Sequence, residues 1–249
     1  MATAPLTFAV ALAMCTVHSS LAAQIPKKFE NLRVLPKDIT RDSLLTVMFG
    51  FTDGLGVQCA YCHSGGDPNT LVGVVFKSDD KRTKLRARAM YSITSQVNEA
   101  LRANGAGRQL DVAVTCYSCH RGMTNPQPLQ DVLASTFARA GIDSALNQYR
   151  ELRAQLLSRG RYDFGEPSLN ILAGTLAKQS RRDDAIRVLE LNNEFNPALP
   201  TLSFDLAELY LARGDSARAL DLYLLVVSKQ PLNGTAKARV DALRAALRR

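Results

Sequence analysis

At 249 residues the chain is long enough for one large domain or two small ones. Its apolar fraction of 46% and charged fraction of 22% are those of a globular protein and exclude wholesale disorder. Trp is absent and aromatics make up 6%, a sparse supply for a core built from side chains alone, while the formal charge of +8 suits nucleic acid, anionic lipid or an acidic protein partner.

Residues 1–23 read as a removable leader. Ala9 to Val17 is an apolar run too short to span a bilayer, and Ser20-Leu21-Ala22 follows as a small-x-small cleavage pattern. No Lys or Arg precedes the run, a departure from the usual leader. Met14 stands where a lipobox wants a small residue, which argues against a lipid anchor at Cys15. No later segment has the length and apolarity to span a membrane. The expected location is periplasmic or otherwise extracytoplasmic, and export argues against nucleic acid as the partner of the basic surface.

Residues 24–128 carry the chemistry. Thr40 to Leu55 is predicted as a helix, with Thr40 as cap, Asp42 in the first turn, and Leu44, Met48, Phe51 and Leu55 on one face. Gly54 and Gly56 mark its expected end, and Cys59-Ala60-Tyr61-Cys62-His63 follows at once. A second helix is predicted over Asp79 to Asn104, with Asp79 and Asp80 at its positive end and Gly105 as its stop. Its apolar stripe includes Leu85, Ala89, Met90, Ile93, Val97 and Leu101. The basic stretch Lys77 to Arg88 reads as the solvated face of a helix start. Cys116-Tyr117-Ser118-Cys119-His120 comes next.

Both cysteine motifs are C-x-x-C-H, the signature of covalent c-type haem attachment. Two thiols three residues apart can each add to one vinyl group on a porphyrin edge, and the adjoining imidazole then reaches the iron from that side. Two disulfides, a zinc site or a thioredoxin-like pair would each need four cysteines or a C-x-x-C. None gives a reason for a His after each pair, and these are the two histidines beyond the leader. The cofactors expected are therefore two haem c groups, bound by Cys59, Cys62 and His63 and by Cys116, Cys119 and His120. Their four carboxylates would lower the net charge by about four.

A sixth ligand follows by elimination. His18 is expected to be cleaved away, so thioether replaces a second His. Met48 and Met90 lie on helical apolar stripes that each precede a haem motif. A Met on such a stripe is usually core filling, but the repeated arrangement favours ligation at both irons. Met123 stands three residues past His120, too close to reach the opposite face of the same iron.

Residues from about Asn31 to Pro128 resemble the photosynthetic reaction-centre cytochrome c subunit family. The resemblance is carried by Leu35 to Thr40, by Met48 with Leu55-Gly56-Val57 leading into the first motif, by Ala87-Arg88-Ala89-Met90, and by Val114-Thr115 leading through the second motif to Gly122. It implies that each haem packs along a helix that donates the Met, with the motif His on the other side. Four-haem members contain two such pairs and this chain contains one. The nearer resemblance is to two-haem relatives fused to helical repeats, without a direct role in reducing a photo-oxidised chlorophyll pair.

Residues 129–165 are a predicted helical connection: a helix from Leu129 to Ser158, then a turn at Tyr162 to Gly165. Residues 166–199 and 200–233 match at a period of 34, with Leu172-Ala173 recurring as Leu206-Ala207, Ala185 as Ala219, Leu176 as Tyr210, Leu189 as Tyr223 and Pro197 as Pro231. This resembles the tetratricopeptide pattern, with Ala236 to Leu247 as a capping helix closing the 166–249 segment. The fold class is mainly α: a haem-packed cytochrome domain followed by helical-hairpin repeats. The function expected is electron transfer between redox partner proteins, acidic ones suiting the basic surface, with a protein partner at the repeats. Two rivals are a peroxidase-like two-haem enzyme with one open iron, and a repeat scaffold with a redox-sensing haem domain.

Overall fold

The computed structural model describes residues 25–104 and 113–248. The leader, Cys15, His18 and the Gly105 stop signal lie outside the described residues. The fold is mainly α, and no strand forms among the described residues beyond an isolated bridge between Ser64 and Val75. The chain divides after Pro126 into two compact units.

The first unit begins with α1, Arg41–Leu55. Thr40 caps it as expected, its hydroxyl accepting from the Ser43 N–H at 3.2 Å. Gly56 ends it in the left-handed region at φ 65°. The second helix, α2, runs Arg82–Ala103, so it starts later than the sequence suggests, with Lys81 at the cap and no acid in the first turn. Asp79 is engaged elsewhere: its carboxylate accepts from Arg88 and from Asn31, both at 2.8 Å, and pairs with Arg33 at 3.1 Å. Side-chain cations outcompete the weaker attraction of a helix end. The short helix α3, Cys116–His120, holds the second motif.

Very little of this unit is buried by protein. Among its described residues the buried hydrophobics are Leu44 and Leu71, while Leu85, Met90, Ile93 and Val97 along α2 are 41–51% exposed. A 22-residue helix with its apolar stripe open to solvent lacks the packing that normally holds a helix in a domain.

The second unit is built differently. Helix α4, Leu129–Leu156, breaks at Gly141, where φ 80° and ψ 178° leave helical geometry. Two hairpins follow, α5 (Glu166–Lys178) with α6 (Arg182–Phe195) and α7 (Pro200–Arg213) with α8 (Ser216–Lys229), closed by α9 (Gly234–Leu247). The residues matched at period 34 form the inside: Leu172, Ala173, Leu176, Ala185 and Leu189, then Leu206, Ala207, Tyr210, Ala219 and Tyr223, are all buried. Alanines let paired helices approach and the larger residues fill the space between them. Asn192, fully buried, donates to the Glu166 carbonyl and to Asn170 Oδ1, both at 2.9 Å, so its polar head is satisfied.

Candidate haem-binding sites

The first motif follows α1 after three residues. Cys59–Tyr61 form a 3-10 turn, with the Cys62 and His63 N–H groups donating to the Cys59 carbonyl at 3.2 and 3.0 Å. This tight turn keeps both thiols and the imidazole on one short stretch of chain. Cys59, Cys62 and His63 line a cavity of about 450 Å³ together with Met48 of α1. Leu44, Phe51, Leu55, Val57, Val74 and Phe76 supply its apolar walls. That volume and lining suit a largely apolar cofactor.

His63 is held as a neutral base. Burial, then the charge of Lys84, push its pKa down to about 4, so the imidazole is uncharged at neutral pH. Its ring lies 4.9 Å from that of Phe76. The buried Nδ1 has no hydrogen-bond partner. The Phe76 carbonyl, which accepts from Lys84 Nζ at 2.7 Å, partly offsets the downward shift by raising the ring's proton affinity. Lys84 also donates to the Ser78 carbonyl at 2.6 Å and pairs with Asp79 at 3.5 Å. Only 8% of Lys84 is exposed. The reading of Lys77 to Arg88 as a solvated face is therefore wrong for Lys84: its stem is packed at the cavity wall and its head is held by carbonyls.

The second motif is held by three devices. Asn98 of α2 clamps the strand-like approach to it, accepting from the Val114 N–H at 2.7 Å and donating to the Val114 carbonyl at 2.8 Å. The Ser118 hydroxyl accepts from the Thr115 N–H at 3.0 Å. His120 Nδ1 donates to the Met123 carbonyl at 2.8 Å, which fixes the tautomer and leaves Nε2 as the unprotonated nitrogen. Met123 thus takes part through its backbone. Met90 lies on the open face of α2, 46% exposed.

The end of α1 packs against α3. The Gly122 N–H donates to the Gly54 carbonyl at 2.9 Å. A Cβ on Gly54 would lie 2.6 Å from Cys116 Cβ, and one on Gly56 would lie 2.2 Å from the Gly122 carbonyl oxygen. Gly54 is therefore a contact residue inside the helix rather than a stop signal. One helix lines the first cavity with its middle and touches the second motif with its end. Of the eight residues that sequence reasoning named, Met48, Cys59, Cys62 and His63 meet at one cavity; that reasoning missed Gly54, Asn98 and Lys84, whose roles depend on partners distant in sequence or on burial.

Among the described residues, Cys59, Cys62, Cys116 and Cys119 are free thiols. Burial pushes the thiol pKa of Cys62 and Cys116 up. The cavity shared by Met48 with three motif residues fits a large flat apolar group at the first motif, and the apolar stripe around Met90 lies uncovered on α2.

The family model of the photosynthetic reaction centre cytochrome C subunit matches residues 9–195. The chain belongs to this family, and membership implies covalently bound haem c. It is similar to the photosynthetic reaction center cytochrome c subunit of Roseobacter denitrificans, 33% identical over 48% of this chain and 31% of that one. The subunit of Thermochromatium tepidum is 32% identical over 40% of this chain and 22% of the relative. The chain thus spans less than a third of the length of either relative. Among solved structures, MamA aligns over 61% of this chain and 79% of its own, at 15% identity and TM-score 0.35. The Yersinia enterocolitica secretion chaperone SycD, in complex with a YopD peptide, aligns over 47% and 91%, at 14% identity and TM-score 0.33.

Proposed function

We propose that the chain is an extracytoplasmic c-type cytochrome with two haems, which passes electrons between redox partner proteins and docks through its helical repeats. The observation that carries this reading is the cavity in which Met48, Cys59, Cys62 and His63 meet. Haem bound there would supply one-electron chemistry at iron, and His with Met as ligands would raise its potential relative to a bis-His site. Cys59 and Cys62 would hold the group covalently, and His63 and Met48 would supply its ligands. Leu44, Phe51 and Leu55 would exclude water from it. Cys116, Cys119, His120 and Met90 would hold the second group.

Contact between α1 and α3 keeps the two motifs adjacent, as a short wire requires. The basic surface suits an acidic redox partner, and the stacked hairpins offer a protein-binding surface. No helix among the described residues is long and apolar enough to cross a membrane. Replacing Met48 by Ala is expected to convert one haem from low-spin to an open, cyanide-binding form, and replacing Met90 the other. An unchanged spectrum in either variant would refute that ligand. The rival, a peroxidase-like enzyme with an open second iron, would bind cyanide at that site in the unaltered protein.

A further inference from the structure

One wall of the first cavity is chain without regular structure. Residues 25, 26 and 28–35 all line it, in a stretch that forms neither helix nor strand and in which no residue is buried. Its polar attachments converge on Asn31. Asn31 Nδ2 donates to the Lys77 carbonyl at 2.6 Å and to the Asp79 carboxylate at 2.8 Å. Arg88 of α2 donates to the Asn31 carbonyl at 3.0 Å and to the same carboxylate at 2.8 Å. On either side, Glu30 pairs with Lys77 at 2.8 Å and Arg33 with Asp79 at 3.1 Å. Asn31 is left-handed, at φ 67°, a conformation that Asn accepts more readily than most side chains. The facing wall is different in kind, since Met48, Phe51 and Leu55 stand on the capped helix α1. A segment without helix, strand or buried side chains opens locally at low cost, whereas a packed helix opens with its unit.

Resting on the reading of this cavity as a haem site, we infer that residues 25–35 are a removable wall, latched at Asn31 by Arg88 and Asp79, whose opening exposes the first haem and not the second. Closed, the wall sets the half-buried side chains of Ile25, Phe29 and Leu32 against the cavity and keeps water and small ligands from it. Open, it leaves α1 and the C-x-x-C-H turn in place. The approach to the second motif is held separately, by Asn98 on Val114 and Ser118 on Thr115. Asn31 and Arg88 are positioning residues, acting on the first site through the wall.

The test is limited trypsin digestion of the full haem-loaded chain, read by mass at the bond after Arg33, because cleavage there tracks the population of the open wall. That bond is expected to be cut before any bond within α2. Asn31→Gly keeps the left-handed backbone and removes both side-chain bonds, while Arg88→Met keeps the stem and removes the bond to the Asn31 carbonyl. Each is expected to speed cleavage after Arg33 by at least about tenfold, as loss of charge-assisted bonds implies. The second readout is the rate of cyanide binding. In the Met48→Ala background Asn31→Gly is expected to raise that rate at the first iron about tenfold as well, because the same opening limits both. In the Met90→Ala background it is expected to leave the rate at the second iron unchanged. Cleavage no faster in either variant, cleavage only in step with α2, or a cyanide rate at the first iron unmoved by Asn31→Gly would overturn the inference. Met48→Ala protein that binds no cyanide would instead refute Met48 as a ligand, and the cleavage rates would then decide the wall.

Discussion

The two units of the chain bury their apolar residues in different ways. Beyond Pro126, twenty-six hydrophobic residues are buried, all but Phe164 in helices that pack face to face. In the described part of the first unit, two are buried, and nine of the thirteen exposed large hydrophobics among the described residues lie there. Both units carry amphipathic helices of ordinary composition. The first has a cavity and an open stripe where the second has partner helices. On the reading proposed above, the open apolar face beside a C-x-x-C-H motif is where haem would complete the first unit's core, while the second closes on itself.

The largest effect expected from breaking this asymmetry comes from the attachment residues. Replacing Cys59 and Cys62 by Ala should remove one haem and leave the first unit with an empty cavity. Spectra and mass should show one haem per chain, while the thermal transition of the repeat unit persists. Retention of two haems would show that the first motif is not an attachment site.

Core truncation in the repeats should produce the converse. Leu172→Ala or Leu206→Ala removes a fully packed side chain and should cost about 2–5 kcal/mol in repeat stability, read by chemical denaturation. The haem spectra should stay as they were. A parallel loss of haem signal would mean the two units fold as one. A chain ending near Pro128 should likewise take up two haems and lose association with its partner.

A smaller effect, confined to the first unit, is expected at the crossing of α1 and α3. Gly56 is left-handed and a Cβ there would meet the Gly122 carbonyl oxygen at 2.2 Å. Gly56→Ala should therefore cost about 1–3 kcal/mol through strain and displaced backbone. Because the crossing joins both motifs, both haem spectra should change, whereas a change at one haem alone would contradict a shared crossing.

The smallest shift is expected at Tyr223, whose hydroxyl donates to the Glu208 carboxylate that Arg239 also holds at 3.0 and 3.2 Å. Tyr223→Phe removes that bond and should cost about 0.5–1.5 kcal/mol in the repeat unit only. No change in denaturation midpoint would place the carboxylate's main support on Arg239.

Much of this contrast was legible in the sequence, because it rests on local patterns. A C-x-x-C-H motif needs no tertiary context, the cap at Thr40 acts within one turn, and a 34-residue period shows its buried positions by repetition. The aromatic-poor composition pointed the same way. What the sequence concealed depends on partners far along the chain. Asp79 looks like a helix-start acid until Arg33, Arg88 and Asn31 converge on it. Gly54 looks like a stop signal until Cys116 arrives against it, sixty-two positions later. Lys84 carries the sequence signature of a solvated charge, and only the carbonyls of Phe76 and Ser78 reveal that its head is held at the cavity wall.

The most direct test of the central claim is the intact mass of the purified, acid-denatured protein. Covalent attachment at Cys59, Cys62, Cys116 and Cys119 predicts a mass equal to the processed chain plus two haem groups, with no thiol left to alkylate among these four. A mass with one haem or none, or reactive thiols at either motif, would contradict the two-haem account.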